Sequence, residues 1–181
     1  MEKKERTVDL FMYETHKITQ QMKTARYMLL GTVIATVVNW ALLFAQSDMY
    51  IPYSSAIAYY FGWFGYLFDG GVVDRFTTIG MGLAAVVLAM YLFSWYMSAN
   101  KPMWLVAGLV LVVVDTLILL ALIFLTQSPL MNFFFELAIH GAVIYEIAVG
   151  ISAHKRMAML PPPETEPEAE PEVEAETESG E

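Results

Sequence analysis

Four ionisable side chains, Asp115, Glu136, His140 and Glu146, and one amide, Asn39, lie inside otherwise apolar runs of this sequence. An ionisable group within a membrane span costs around +2.5 to 3.5 kcal/mol on insertion scales, so each should face a bundle interior. Their types allow chemistry. Histidine titrates near neutrality, and neighbouring carboxylates can relay its proton or balance its charge, which would make a proton or cation pathway. A His nitrogen with two carboxylates is also a donor set for Zn, Mn or Fe. A fourth ligand is missing, however, and the paired-His spacing of zinc proteases is absent. The same groups can instead be structural glue, polar contacts between helices worth about 0.6 to 2 kcal/mol each. The sequence favours glue, and no metal or cofactor is expected. With no cysteine, thiol relays and thiolate metal sites are excluded.

Spacing sets which of these groups can meet. At about 1.5 Å rise per residue, Asp115 and His140 both fall near the middle of their runs. They are expected to meet there on adjacent antiparallel helices. Asn39 and Glu136 each sit roughly 9 Å from the opposite end and are expected to pair. Glu136 and His140 are four apart and share a helix face. Glu146 lies further along and is reachable by the long stems of Lys101, Lys155 or Arg156.

The elements that carry them follow from composition. The chain has 181 residues, 57% hydrophobic and 16% charged, with a mean hydropathy of +0.50. That is the balance of an integral membrane protein. A span needs about 20 mostly apolar residues, and four runs qualify: 27–45, 79–99, 103–125 and 130–151. The expected fold is therefore all-α, an integral membrane four-helix bundle. Residues 49–68 carry no charge but hold Pro52, Gly62, Gly65 and six Tyr or Trp rings. They read as an interfacial or re-entrant element within an external aromatic loop, 46–78, rather than as a fifth span.

Basic residues give the orientation. With four spans, Lys3, Lys4, Arg6, Lys17, Lys23, Arg26, Lys101, Lys155 and Arg156 share one side, and Arg75 alone faces the other. The positive-inside rule then places both termini in the cytoplasm, at the cell membrane. Residues 1–26 form an amphipathic leader whose apolar face belongs to a helix running into the first span, read as a membrane-surface helix or, alternatively, as a cytoplasmic extension of that span packed on a subunit neighbour. Residues 153–160 form a basic cytoplasmic end. The formal charge of -9 belongs to 161–181, which hold nine Glu and no base, a Pro/Glu tail expected to be disordered. Small residues four apart, Gly31 with Ala35, Gly80 with Ala84 and Ala138 with Ala142, allow close helix approach. Ser54 and Ser55 have no His expected at their depth, so hydrolase chemistry is not expected.

Two stretches carry a resemblance. Residues 42–67, with Ser47-Asp48-x-Tyr50 before an aromatic run, and residues 103–160, with Asp115 and His140, resemble a family of small four-span membrane proteins from clostridia-type bacteria. The resemblance implies the plan of a basic leader, an aromatic loop, an Asp in the third span and a His in the last. It implies a bacterial membrane and no particular activity. Soluble domains, nucleotide motifs and a complete catalytic set are missing, so the expectation is not an enzyme. A scaffold or accessory subunit of a membrane complex is favoured, with the bilayer, a membrane protein or a second copy as partner and no nucleic acid. The alternative is a small proton- or cation-coupled transporter or channel using Asp115, His140 and Glu136.

Overall fold

Each long apolar run buries one narrow stripe at three- and four-residue spacing, in which small and polar residues alternate with bulky apolar ones. In α3, Arg75–Met97, it is Thr77, Gly80, Ala84, Leu88, Tyr91 and Ser94. In α4, Met103–Leu125, it is Leu105, Gly108, Val112, Asp115, Leu119 and Ile123. In α5, Phe134–Met159, it is Glu136, His140, Val143, Ile147, Gly150 and Ala153. The remaining faces are apolar and exposed, with Val86, Met90, Val110, Leu117 and Phe135 among them. Helices that are apolar all round, with their polar residues turned inward, suit lipid rather than water.

The structure, a computed structural model, describes residues 2–160, with side chains from 11 onward except that of residue 132. The acidic tail, 161–181, lies outside the described residues. All the described elements are helical. Four helices are long and apolar enough to cross a membrane, which makes the chain a multi-pass helical bundle. The helix α1, Glu2–Phe44, runs from one end of the bundle to the other, and α3, α4 and α5 then alternate in direction. Glu2 and Leu160 thus lie at the same end, with Lys17, Lys23, Lys101, Lys155 and Arg156. We call it the basic end. Turns at 98–102 and 126–129 join α3 to α4 and lead, through a 3-10 turn at Leu130–Phe133, into α5.

Two readings are decided by the structure. The leader helix runs without a break into the first span, as its spacing implies, and takes the form of an extension rather than of a surface helix, giving a helix of 43 residues, about 65 Å long. No Gly or Pro occurs before Gly31 to bend it. Its basic-end half packs on α5, where Gly150 lets Ala25 approach and Arg156 donates to Gln21 Oε1 at 2.6 Å.

The external loop is corrected. Residues 45–55 turn back from the end of α1 and descend along the bundle core, and the 13-residue α2, Ala56–Phe68, climbs out again. At roughly 20 Å, α2 is too short to span. Of the two forms expected for 49–68, the re-entrant one is present. Four buried residues on α2, Ala56, Ala58, Gly62 and Gly65, form its inner face. Close approach fixes α2 on α3: a Cβ at Gly80 would collide with the Phe61 carbonyl, and one at Gly65 with that of Phe76.

Asp69 locks the turn between α2 and α3. Its carboxylate accepts from the Thr77 amide at 2.6 Å and hydroxyl at 2.7 Å, and from the amides of Phe76 and Asp74. Gly70 and Gly71, both at positive φ, let the chain reverse beneath it. Desolvation works to raise the Asp69 carboxyl, but the four hydrogen bonds outweigh it and hold it below the usual value.

Two predictions follow from these contacts. Since the folded-state value is depressed, Asp69 stabilises the protein above about pH 4 and loses that effect as pH falls through the folded value. Asp69→Asn should therefore lower the melting temperature at neutral pH, with the gap to wild type closing in acid. Separately, Gly80→Ala should destabilise by about 1–3 kcal/mol, because backbone cannot yield to the new methyl. Gly82→Ala, where a Cβ meets nothing within 4 Å, should be neutral or slightly stabilising in the same melts.

Candidate functional site

A helix that starts inside a bundle leaves four N–H groups to satisfy without water. In α2 all four are bonded. The Ala56 amide donates to Asp115 Oδ2 at 3.0 Å and the Ile57 amide to Asp115 Oδ1 at 2.7 Å. The Ala58 amide donates to Ser55 Oγ at 3.3 Å, and the amide of Ser55, the N-cap, to Thr36 Oγ1 at 2.8 Å. Ser55 Oγ in turn donates to Asp115 Oδ1 at 3.0 Å. Asp115 lies midway along α4 and is 1% exposed. Its negative charge stands at the positive end of the half-helix dipole.

The descending segment is held by α1. Asn39 takes both backbone groups of Ile51: its Oδ1 accepts the amide and its Nδ2 donates to the carbonyl, each at 2.8 Å. Thr36 donates to the Thr32 carbonyl at 2.7 Å while its oxygen accepts the Ser55 amide at 2.8 Å. Tyr53 donates to the Met28 carbonyl at 2.6 Å, its ring seated on Gly31. Pro52 has no N–H to satisfy, which suits a stretch without a ladder partner.

His140 is bonded at both ring nitrogens. Nε2 meets the Ser54 carbonyl at 3.2 Å and Nδ1 meets Thr116 Oγ1 at 2.9 Å. A carbonyl only accepts, so Nε2 carries a proton. Thr116 Oγ1 also reaches the Val112 carbonyl at 2.7 Å. Two states therefore satisfy the ring. In the neutral one, the Thr116 hydroxyl donates to Nδ1; in the cationic one, Nδ1–H donates to Thr116, whose hydroxyl turns to Val112. The site can accept a proton on Nδ1 through rotation of one hydroxyl.

Glu136 is 5% exposed and closer to the end opposite the basic one. Its Oε1 accepts from the Tyr50 hydroxyl at 2.7 Å, and Tyr50 Oη lies 3.0 Å from Ser54 Oγ. With the Tyr50 proton on Glu136, Ser54 is the donor of that second bond. Glu136, Tyr50 and the Ser54 hydroxyl thus form one hydrogen-bonded run, while His140 holds the same residue by its carbonyl. Asp115, His140, Ser54, Thr32 and Tyr91 line one small cavity of about 10 Å³. Toward the basic end the core is apolar, with Ala25, Leu29, Leu105 and Ile147 all buried.

The expected residues are therefore partly regrouped. Asp115 and His140 do share a cavity, but each bonds the re-entrant segment rather than the other. Asn39 does not pair with Glu136, because residues 50–55 pass between them and take both. Glu136 is held by Tyr50, so it does not converge with Asp115 and His140 as a metal site requires. Glu146 is half-buried and outside the cavity lining. Ser54 does lie beside His140, contrary to expectation, yet through its carbonyl, which is no nucleophile. Ala138 and Ala142 face outward, whereas Gly80 and Ala84 are buried against the core.

Thr32, Thr36, Tyr50, Tyr91 and Ser55 were missed. Thr32, Thr36 and Asn39, four and three residues apart on one face of an apolar span, are the signal that could have found the docking edge.

Together these features define a four-span membrane bundle with a re-entrant helix anchored on a buried carboxylate. No protein-family profile matches the chain, and no curated protein or solved structure matches it at a significant level.

Removing the Asp115 charge should be costly, since three buried donors converge on it. Asp115→Asn is expected to lose about 2–4 kcal/mol. Thr36→Val, which strands one buried amide, should lose about 1–3 kcal/mol. Chemical denaturation in mixed micelles measures both, and a Thr36→Val change larger than that of Asp115→Asn would contradict the ranking.

Proposed function

We propose that the protein is a small proton-coupled transporter of a bacterial cytoplasmic membrane, with both termini cytoplasmic. The reading rests on one observation: His140 is fully hydrogen-bonded in either protonation state, inside a polar network that reaches outward and stops at an apolar inner half. The basic residues at the termini support the orientation, and the resemblance to small bacterial four-span proteins supports the membrane. Glu136 is the proton-accepting group nearer the external side, and His140, which takes its proton on Nδ1 beside Thr116, is the inner one. The groups facing His140 are Asp115 on α4, Tyr91 on α3, Tyr53 on the re-entrant segment and Glu136 one turn away on α5; α1 offers the uncharged Thr32. A proton suits this site better than a metal cation, because the oxygens of Asp115 already face N–H and O–H donors. No enzymatic role is assigned.

A scaffold or accessory subunit is the second reading. It is favoured by the outward face of α5, where Ala138, Gly141 and Ala142 are exposed and would let another helix approach closely. On that reading Asp115 acts only as a fold lock.

Proton flux separates them. In liposomes with an imposed pH gradient, wild type should show a pH-dependent proton flux. His140→Ala and Glu136→Gln should each reduce it at least about tenfold, a loss equal to roughly 1.4 kcal/mol, while circular dichroism stays unchanged. Absence of flux from wild type at every pH would retire the transporter reading and leave the scaffold.

A further inference from the structure

Tyr91 lies on the buried face of α3 and is 1% exposed, yet among the described residues its hydroxyl has no hydrogen-bond partner. A buried hydroxyl in that state is costly, and it calls for a specific explanation. Side chains of a helix lean toward its N-terminus. The ring of Tyr91 is thus carried up α3, away from the basic end, and lines the cavity beside Asp115, His140, Ser54 and Thr32. That cavity, about 10 Å³, is the size of one water and of little else.

Its walls have unused bonding capacity of both kinds. Tyr91 can donate. Asp115 Oδ2 accepts one amide, from Ala56, and keeps a free lone pair. Thr32 Oγ1 donates to the Met28 carbonyl at 3.1 Å and keeps its own lone pairs. A water accepting from Tyr91 and donating to Asp115 and Thr32 makes three bonds, the usual number for a buried water. An anion would meet the Asp115 carboxylate, and a metal ion would find too few free oxygens in so small a space.

We propose that this cavity is a built site for one water molecule, held by Tyr91, Asp115 and Thr32. The water ties α3 to α4 and α1 at the level where α2 begins. Occupancy of the site does not depend on the proton-coupled reading.

The test is water-edited solid-state NMR on the full chain in lipid bilayers, with tyrosine labelled at Cζ. The Tyr91 signal is assigned by sequential correlations and, independently, by its loss in Tyr91→Phe. The expected result is magnetisation transfer from water to Tyr91 Cζ despite its burial. A Tyr91 signal that receives none, under conditions where exposed Tyr13 and Tyr27 do, overturns the site. Failure here leaves the flux measurement untouched, and absence of flux leaves this spectrum untouched.

Discussion

Backbone amides at the start of a helix need partners, and the interior of a membrane bundle supplies no bulk water to provide them. In this protein the start of α2 is such a place, and Asp115 answers it. One carboxylate takes two of the four orphan amides and the hydroxyl of Ser55, which itself takes a third. The dipole of the half-helix and the charge of the carboxylate then stabilise each other, where either alone would be expensive to bury. Three other polar residues near the centre serve the same segment. Thr36 takes the Ser55 amide, Asn39 takes Ile51, and His140 takes the Ser54 carbonyl.

This dependence explains why four helices bury such thin stripes. The bundle need not close on itself by apolar packing, because a fifth, short helix fills its far half. Close backbone contact at Gly65 and Gly80 welds α2 to α3, and Asp69 ties the turn between them. On its other side α2 meets α4 through Asp115 and the packing of Ala56 with Leu119 and Ile123, and α1 through Trp40 at Gly62 and Phe44 on Tyr66. The basic half lacks this insert and is filled instead by Leu29, Leu105 and Ile147, with Gly108 making room for Leu29. Polar and apolar halves are thus separated along the bundle axis by where the re-entrant segment turns.

Much of this was legible. The spans are set by unbroken apolar runs, and α4 matches its expected bounds because Pro102 and the polar residues after Leu125 mark both ends. The depths of Asp115 and His140 followed from rise per residue. What could not be read was the path of residues 45–55. Their aromatic content fits an interface as well as a descent, since Tyr50 and Tyr53 can send their hydroxyls to water or to Glu136 and Met28. With that segment placed outside, Asn39 and Glu136 had only each other as partners. Once it descends, both acquire better ones. The leader stayed open between two readings for a related reason: its apolar face suits a membrane surface or a neighbouring helix equally, and only α5 decides between them.

The two kinds of attachment around α2 have unequal sensitivity to protons. Its contacts with α3 are backbone against backbone and do not titrate. Its contacts with α4 run through Asp115, which does. A proton on the remaining lone pair of Asp115 Oδ2 would remove the charge facing the start of α2, so the bonds from Ala56, Ile57 and Ser55 would weaken to neutral ones. The α2–α3 hairpin would then be freer to shift as a unit against α1 and α4. A proton arriving at His140 instead leaves those bonds in place and sets a cation across the cavity from the carboxylate.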